Sequence, residues 1–230
     1  MALQDRPACM VFDMDGTLTQ TNDLIFASFN HVARKRLGRE FSPAQIIGFF
    51  GPPEEGAVEK VFGKEHVEDI MDELCAFYRA EHSVRAFLHA GMEDVLRLLK
   101  QHEVKLAVFT GKGRRTAAIT LEVLRIGGYF DLVITGNDVV RHKPDPEGIF
   151  RVLRELDVAP EQTVMVGDSM ADVRASRGAG VRMAAVLWDS YDRERVCRSG
   201  ADYLFETVPA FLAWCRERVD GTGPVHPLTL

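Results

Sequence analysis

Four short segments hold the side chains that could do chemistry. They are Asp13-Met14-Asp15-Gly16-Thr17, Thr110-Gly111-Lys112, Lys143-Pro144-Asp145-Pro146, and Gly167-Asp168-Ser169 with Asp172 one helical turn further. Asp13, Asp15 and Asp168 brought together would repel one another strongly without a cation. A hard divalent ion with oxygen ligands relieves that repulsion, and Mg2+ favours one or two carboxylates, waters and a phosphate oxygen. Thr110 and Lys143 would then complete a phosphate cradle, with backbone N–H groups near Met14, Asp15 and Gly111. A carboxylate in such a place can attack phosphorus and form an acyl-phosphate. The metal and Lys143 would stabilise charge on the transferring group.

The segments matter only if the fold brings them together. Ala8–Phe12 is a continuous apolar run of strand length, as expected of a strand buried on both faces of a parallel sheet. Similar runs recur at Val104–Phe109, Leu132–Ile134, Thr163–Val166 and Val181–Leu187. Helical patterns lie between them: Ile149, Val152, Leu153 and Leu156, and Ala117, Leu121 and Leu124. Strands alternating with helices predict an α/β fold with a Rossmann-like parallel sheet. In such sheets ligands bind outside the carboxyl ends of the strands, and each candidate segment follows a strand or its connector.

The alternation fails in residues 21–88, which contain no convincing strand. Ile25, Phe29, Val32 and Ala33 mark one helix there, and Val67, Ile70, Met71, Leu74 and Tyr78 mark a longer one, with Gly51-Pro52-Pro53 between them. A simple crossover needs only about a dozen residues, so this stretch reads as an all-helical cap at 21–88, inserted into an α/β core of 1–20 and 89–230. The Gly- and Pro-bearing tail from Asp220 to Leu230 reads as a loose extension.

Each segment alone has a bland explanation, because Asp, Thr and Gly are common in turns and helix caps. Asp145-Pro146 is fully explained as an N-cap followed by Pro at the first helical position. The set of four is harder to explain that way. Bulk properties narrow the partners. A formal net charge of −6 argues against a general nucleic-acid role. No stretch reaches the roughly 18–20 apolar residues of a membrane span. The four cysteines form no C-x-x-C pair and read as reduced and mostly packed, which leads to the expectation of a cytoplasmic protein.

With the segments assembled, a resemblance is plain. Phe12-Asp13-Met14-Asp15-Gly16-Thr17-Leu18 resembles the first motif of the haloacid dehalogenase-like hydrolase superfamily, D-x-D-G-T-L. Thr110 matches its second motif, Lys143-Pro144 its third, and Gly167-Asp168-Ser169 with Asp172 its fourth. The resemblance implies a helical cap between the first two motifs. It implies that Asp13 is the nucleophile and that Asp15 protonates the leaving group and then activates water. That role requires a proton on Asp15 when substrate is bound. Asp13, the backbone carbonyl of Asp15 and Asp168 are implied Mg2+ ligands, with Asp172 a water-mediated or supporting partner. Thr110 and Lys143 are implied phosphate binders. The carboxylate at position 15 points to phosphoryl transfer and away from dehalogenation.

Thr21-Asn22-Asp23-Leu24, Phe50-Gly51-Pro52 and Tyr78-Arg79 resemble the cap of phosphoglycolate phosphatases and related bacterial pyrophosphatases. Thr19-Gln20-Thr21 departs from the Val-Asp-Ser of many members. The expected substrate is a small phosphomonoester or pyrophosphate, and Arg79 is the cap residue expected to grip a second anionic group. The expected assembly is a monomer or homodimer.

Rival readings use fewer of these residues. A P-loop at Gly111-Lys112-Gly113 lacks the earlier Gly, since position 107 is Ala. Lys112, Arg114 and Arg115 are expected to be exposed at a helix start. A serine esterase built on Ser169 would depend on His226 in the tail and leave Asp13, Asp15 and Lys143 idle. The histidines show no zinc spacing, and His142 reads as a loop residue. Two non-hydrolytic alternatives stay open: a phosphomutase, and a regulatory module that is phosphorylated once and does not turn over.

Overall fold

The structure is a computed structural model and describes residues 6–220. The predicted loose tail beyond Asp220, with His226, lies outside the described residues.

The chain begins with β1 (Cys9–Phe12), which is buried along its whole length. A short segment, β2 (Thr19–Gln20), leads into four helices: α1 (Asn22–Leu37), α2 (Pro43–Ile47), α3 (Glu54–Phe62) and α4 (Val67–Arg85). The chain returns through β3 (Phe87–Leu88). It then alternates through α5 (Met92–Gln101), β4 (Lys105–Phe109), α6 (Arg114–Val123), β5 (Leu132–Ile134) and α7 (Glu147–Glu155). The last elements are β6 (Thr163–Gly167), α8 (Met170–Ala179), β7 (Arg182–Val186), α9 (Arg193–Cys197), β8 (Tyr203–Phe205) and α10 (Val208–Asp220).

The main sheet is parallel, with strand order β5-β4-β1-β6-β7-β8. Its residues alternate between two apolar layers, as the period of two in a strand requires. Met10, Phe12, Leu106, Val108, Val164 and Val166 face a core shared with α5 and α10. Cys9, Val11, Ala107, Phe109 and Met165 face a second core shared with α7 and α8. The sheet is therefore covered on both faces, which explains why its strands read as unbroken apolar runs. All four cysteines are free.

The expectation of no strand within 21–88 needs correction. Phe87 and Leu88 pair antiparallel with Gln20 and Thr19. The two crossings into and out of the helical stretch thus lie side by side, tied further by the His89 N–H donating to Leu18 O at 3.1 Å. Two-residue strands carry no periodicity to detect. The helical stretch has its own apolar core, in which Leu24, Ile25, Phe29 and Val32 of α1 meet Ile70, Met71, Leu74 and Tyr78 of α4. Ile119 of α6 joins that core, so the insertion rests on the helix that follows β4. The edge strand β8 was also not predicted; it is short and only partly buried. Among the described residues, no helix is long and apolar enough to cross a membrane.

Candidate active site

β1 lies at the centre of the sheet, between β4 and β6. Asp13, Thr110 and Asp168 each follow one of these three adjacent strands. The ladder continues into the site: the Asp13 N–H donates to Val166 O at 2.9 Å, and the Thr110 N–H donates to Ile134 O at 3.0 Å. Neighbouring strands here connect in opposite directions across the sheet, which is where open α/β sheets form a crevice.

After β1 the chain turns tightly. The N–H groups of Leu18 and Thr19 both converge on Met14 O, at 2.9 and 3.0 Å. Gly16 adopts φ +79°, a left-handed conformation that favours glycine, and a Cβ there would meet Asp168 Oδ2 at 2.7 Å. The turn therefore needs glycine for its backbone and for the approach of Asp168. Thr17 Oγ1 donates to Asp168 Oδ1 at 2.9 Å, and Trp188 Nε1 donates to Thr17 O at 3.1 Å.

Asp13 Oδ1 accepts from the Met14 N–H at 2.7 Å and lies 2.8 Å from Lys143 Nζ. Lys143 also reaches Asp172 Oδ1 at 2.7 Å and Phe109 O at 3.2 Å. Its peptide bond to Pro144 is cis. Asp172 is fully buried, and its Oδ2 accepts from the Ser169 hydroxyl at 2.6 Å and the Ser169 N–H at 3.1 Å. Ser169 in turn caps α8. Its hydroxyl serves as a helix cap bonded to a carboxylate, with no histidine in that bonding pattern.

One carboxylate oxygen from each of Asp13, Asp168 and Asp172 lies within 4.8 Å of the others. Burial raises the Asp13 pKa to about 7; Lys143 opposes the rise, and Asp172 and Asp15 add to it. Burial also raises the Asp168 carboxyl well above the ordinary range, reinforced by Asp13 and Asp172. For Lys143, burial works against the charge, but Asp13 and Asp172 outweigh it and hold the ammonium above its usual pKa. Hard oxygen donors crowded this closely, with burial working against the charge of Asp13 and Asp168, fit a hard divalent cation.

The Asp15 side chain points elsewhere. Its Oδ1 accepts from Thr21 Oγ1, and its Oδ2 lies 3.2 Å from Lys112 Nζ. The expectation that Lys112 is exposed at a helix start is therefore wrong: its side chain is 1% exposed. The ammonium sits 4.9 Å above the Tyr78 ring and 3.6 Å from Glu54 Oε1. Burial disfavours its charge, but Asp15, Tyr78 and Glu54 together raise its pKa above the ordinary value. The signal was present, because Lys112 follows the same strand end as Thr110. Thr17, Thr21 and Glu54 were likewise missed as site residues.

Arg79 does not reach the site. It makes a two-pronged pair with Glu122 at 2.9 and 2.8 Å, and its side chain is 50% exposed. Met14 contributes its N–H to Asp13, and its side chain is buried in the core. Asp145 is not the N-cap of α7: Pro146 takes that position, and Asp145, one residue before it, accepts from the Glu147 N–H on Oδ1 at 3.0 Å.

A cavity of about 390 Å³ opens over Asp13, Asp15, Thr110, Gly111, Lys143 and Asp168, and its other side is formed by α1, α2, α3 and the segment around Gly51. The catalytic candidates from the core and the apolar surface of the insertion thus enclose one space.

Known proteins share this sequence and fold. A sequence model of the haloacid dehalogenase-like hydrolases matches residues 10–186. Pyrophosphatase PpaX of Anoxybacillus flavithermus is 32% identical over 204 residues, covering 89% of this chain and 94% of its own. Pyrophosphatase PpaX of Oceanobacillus iheyensis is 34% identical over 206 residues, with 86% and 92% covered. In fold, the chain superposes on CbbY from Rhodobacter sphaeroides in complex with phosphate, with a TM-score of 0.77, 23% identity and 93% and 99% of the two chains covered. The parallel sheet, the segments at its strand ends and these matches together place the chain in the haloacid dehalogenase-like hydrolase family.

Proposed function

We propose that the protein is a Mg2+-dependent hydrolase of a small phosphorylated compound, acting through an aspartyl-phosphate on Asp13. The observation that carries this reading is the placement of Asp13 between Lys143 Nζ, at 2.8 Å, and the carboxylates of Asp168 and Asp172. The names of the PpaX relatives support phosphate chemistry.

The residues divide the work as follows. Asp13, Asp168 and the water-linked or direct reach of Asp172 would hold the cation, which supplies charge neutralisation when bound. Met14 N–H and Lys143 both engage Asp13 Oδ1, which leaves Oδ2 as the oxygen that attacks phosphorus. Thr110, Gly111 and Lys143 line the space where the phosphoryl oxygens would sit, and preorganised donors aimed at that charge stabilise the transition state. Asp15 donates a proton to the departing group and then takes one from the water that opens the acyl-phosphate. To do so it must turn away from Thr21 or Lys112. The insertion excludes bulk water while the first step proceeds.

The test is phosphate release across a panel of small phosphates, with and without Mg2+, alongside Asp13→Asn. We expect release to require Mg2+ and the variant to lose at least ~10^3-fold in kcat while keeping wild-type circular dichroism. Near-normal turnover by the variant would overturn the assignment. A single equivalent of phosphate released per chain would instead favour a regulatory module.

A further inference from the structure

The cavity is strongly asymmetric in its chemistry. Its floor holds the catalytic carboxylates. Its far side is built from Ile25 and Phe29 of α1, Ile47 of α2, Phe49 and Phe50 beyond it, and Ala57 of α3. The space has the size of a small-ligand pocket.

The cations of the cavity are already committed. Five carboxylates line it, from Asp13, Asp15, Glu54, Asp168 and Asp192, against two ammonium groups, from Lys112 and Lys143. Lys143 lies between Asp13 and Asp172. Lys112 lies between Asp15 and Glu54. Arg79 is turned outward onto Glu122. A bound divalent cation and the proton that Asp15 carries offset that excess but leave no positive charge over, before the phosphoryl group of the substrate is added. A second anionic group on the substrate would enter an apolar chamber bordered by Glu54 and Asp192, where both lining ammonium groups already hold carboxylates.

We infer that the leaving group is uncharged and largely apolar: the substrate class is a phosphomonoester of a small apolar alcohol or phenol, in preference to pyrophosphate or phosphoglycolate. This inference rests on the proposed phosphohydrolase reading and names the substrate side of the same cavity. The alkyl or aryl body would fill the chamber beside Phe29 and Phe49, and its ester oxygen would face Asp15. Attack by Asp13 forms the Oδ2–P bond and breaks the P–O ester bond. The departing alkoxide takes the proton from Asp15 and leaves as a neutral alcohol.

The test uses n-alkyl phosphates from ethyl to hexyl, in which the acidity of the leaving alcohol is nearly constant while apolar area grows. Burial stabilises by about 0.8 kcal/mol per methylene, or about three- to fourfold. We expect kcat/KM to rise by that factor for each added methylene until the chamber is filled. Calorimetry with Mg2+ should show hexylphosphonate binding more tightly than ethylphosphonate, and phosphonoacetate binding more weakly than hexylphosphonate. Phe50 lines the chamber and is 41% exposed; Phe50→Lys should improve turnover of phosphoglycolate at least tenfold and weaken the chain-length dependence. A flat alkyl series, or tighter binding of phosphonoacetate than of hexylphosphonate, overturns the inference. If no ester releases phosphate yet the phosphonates keep their length dependence, the hydrolase reading fails and the apolar chamber stands. If ethylphosphonate and hexylphosphonate bind equally, the chamber inference fails whatever the turnover.

Discussion

Asp168 shows how the site trades stability for function. Burial and the neighbouring Asp13 and Asp172 raise its pKa well above the ordinary value, while Thr17 and Lys143 oppose the rise. A folded-state pKa above the unfolded one means that the fold takes up the proton more readily than the unfolded chain does. The cost is therefore absent below the unfolded value of about 3.9, grows as pH rises above it, and is full only above the raised folded value. The metal-free protein should carry this cost at pH 7. Asp168→Asn keeps an acceptor for Thr17 and removes the charge. Thermal melts without metal at pH 7 should show the variant more stable than wild type, by about 2–4 °C per kcal/mol of repulsion removed. The gap should narrow towards pH 4. Adding Mg2+ should raise the wild-type midpoint by mass action and the variant's much less. A destabilised variant at pH 7 would show that Asp168 is not under net repulsion.

At the scale of elements, α3 is fastened to α6 through one side chain. Glu54 Oε2 accepts from the Gly113 N–H at 2.5 Å, and Oε1 accepts from Thr116 Oγ1 at 2.6 Å. Backbone also comes close beside this contact, since a Cβ on Gly111 would meet Gly51 O at 3.2 Å. Tyr78 of α4 adds a bond of 2.9 Å to Thr120 Oγ1. Loss of Glu54 should loosen this docking and leave Lys112 with Asp15 as its remaining carboxylate partner. Glu54→Ala should lower kcat by about tenfold or more through weakened closure, and Glu54→Gln, which keeps an acceptor, should fall between it and wild type. Steady-state kinetics and thermal melts on both variants check this; unchanged kcat in Glu54→Ala would remove the latch.

The strand-end carboxylates were legible in the sequence for a physical reason. Strands buried on both faces are uninterrupted apolar runs, so the first polar residue after each must lie at one edge of the sheet. Asp13, Thr110 and Asp168 follow from that rule. The position of Lys112 beside Thr110 was legible too, but its burial was not, because that depends on Asp15, Glu54 and Tyr78, which are distant in sequence. Arg79 was misplaced because successive helical residues point about 100° apart. Tyr78 is buried between α4 and α6, and the neighbouring Arg79 is turned towards solvent and Glu122.

The whole molecule brings together two sets of residues with different requirements. The sheet and its two apolar layers hold charged groups rigidly at the ends of adjacent strands. The helical insertion has its own core and connects through two crossings lying side by side at Thr19–Gln20 and Phe87–Leu88. A paired connection of that kind would let the insertion rotate as a unit while the carboxylates stay fixed. Substrate would then be admitted with the insertion open and transformed with it closed. The central claim is that the phosphoryl group passes through Asp13. The most direct measurement is an acid quench of the enzyme during turnover of a phosphate ester with Mg2+, followed by peptide mapping by mass spectrometry. The account predicts one phosphoryl group on the Asp13 side chain, lost when Mg2+ is withheld and in Asp13→Asn. Modification of a different residue, or sustained turnover by Asp13→Asn, would contradict it.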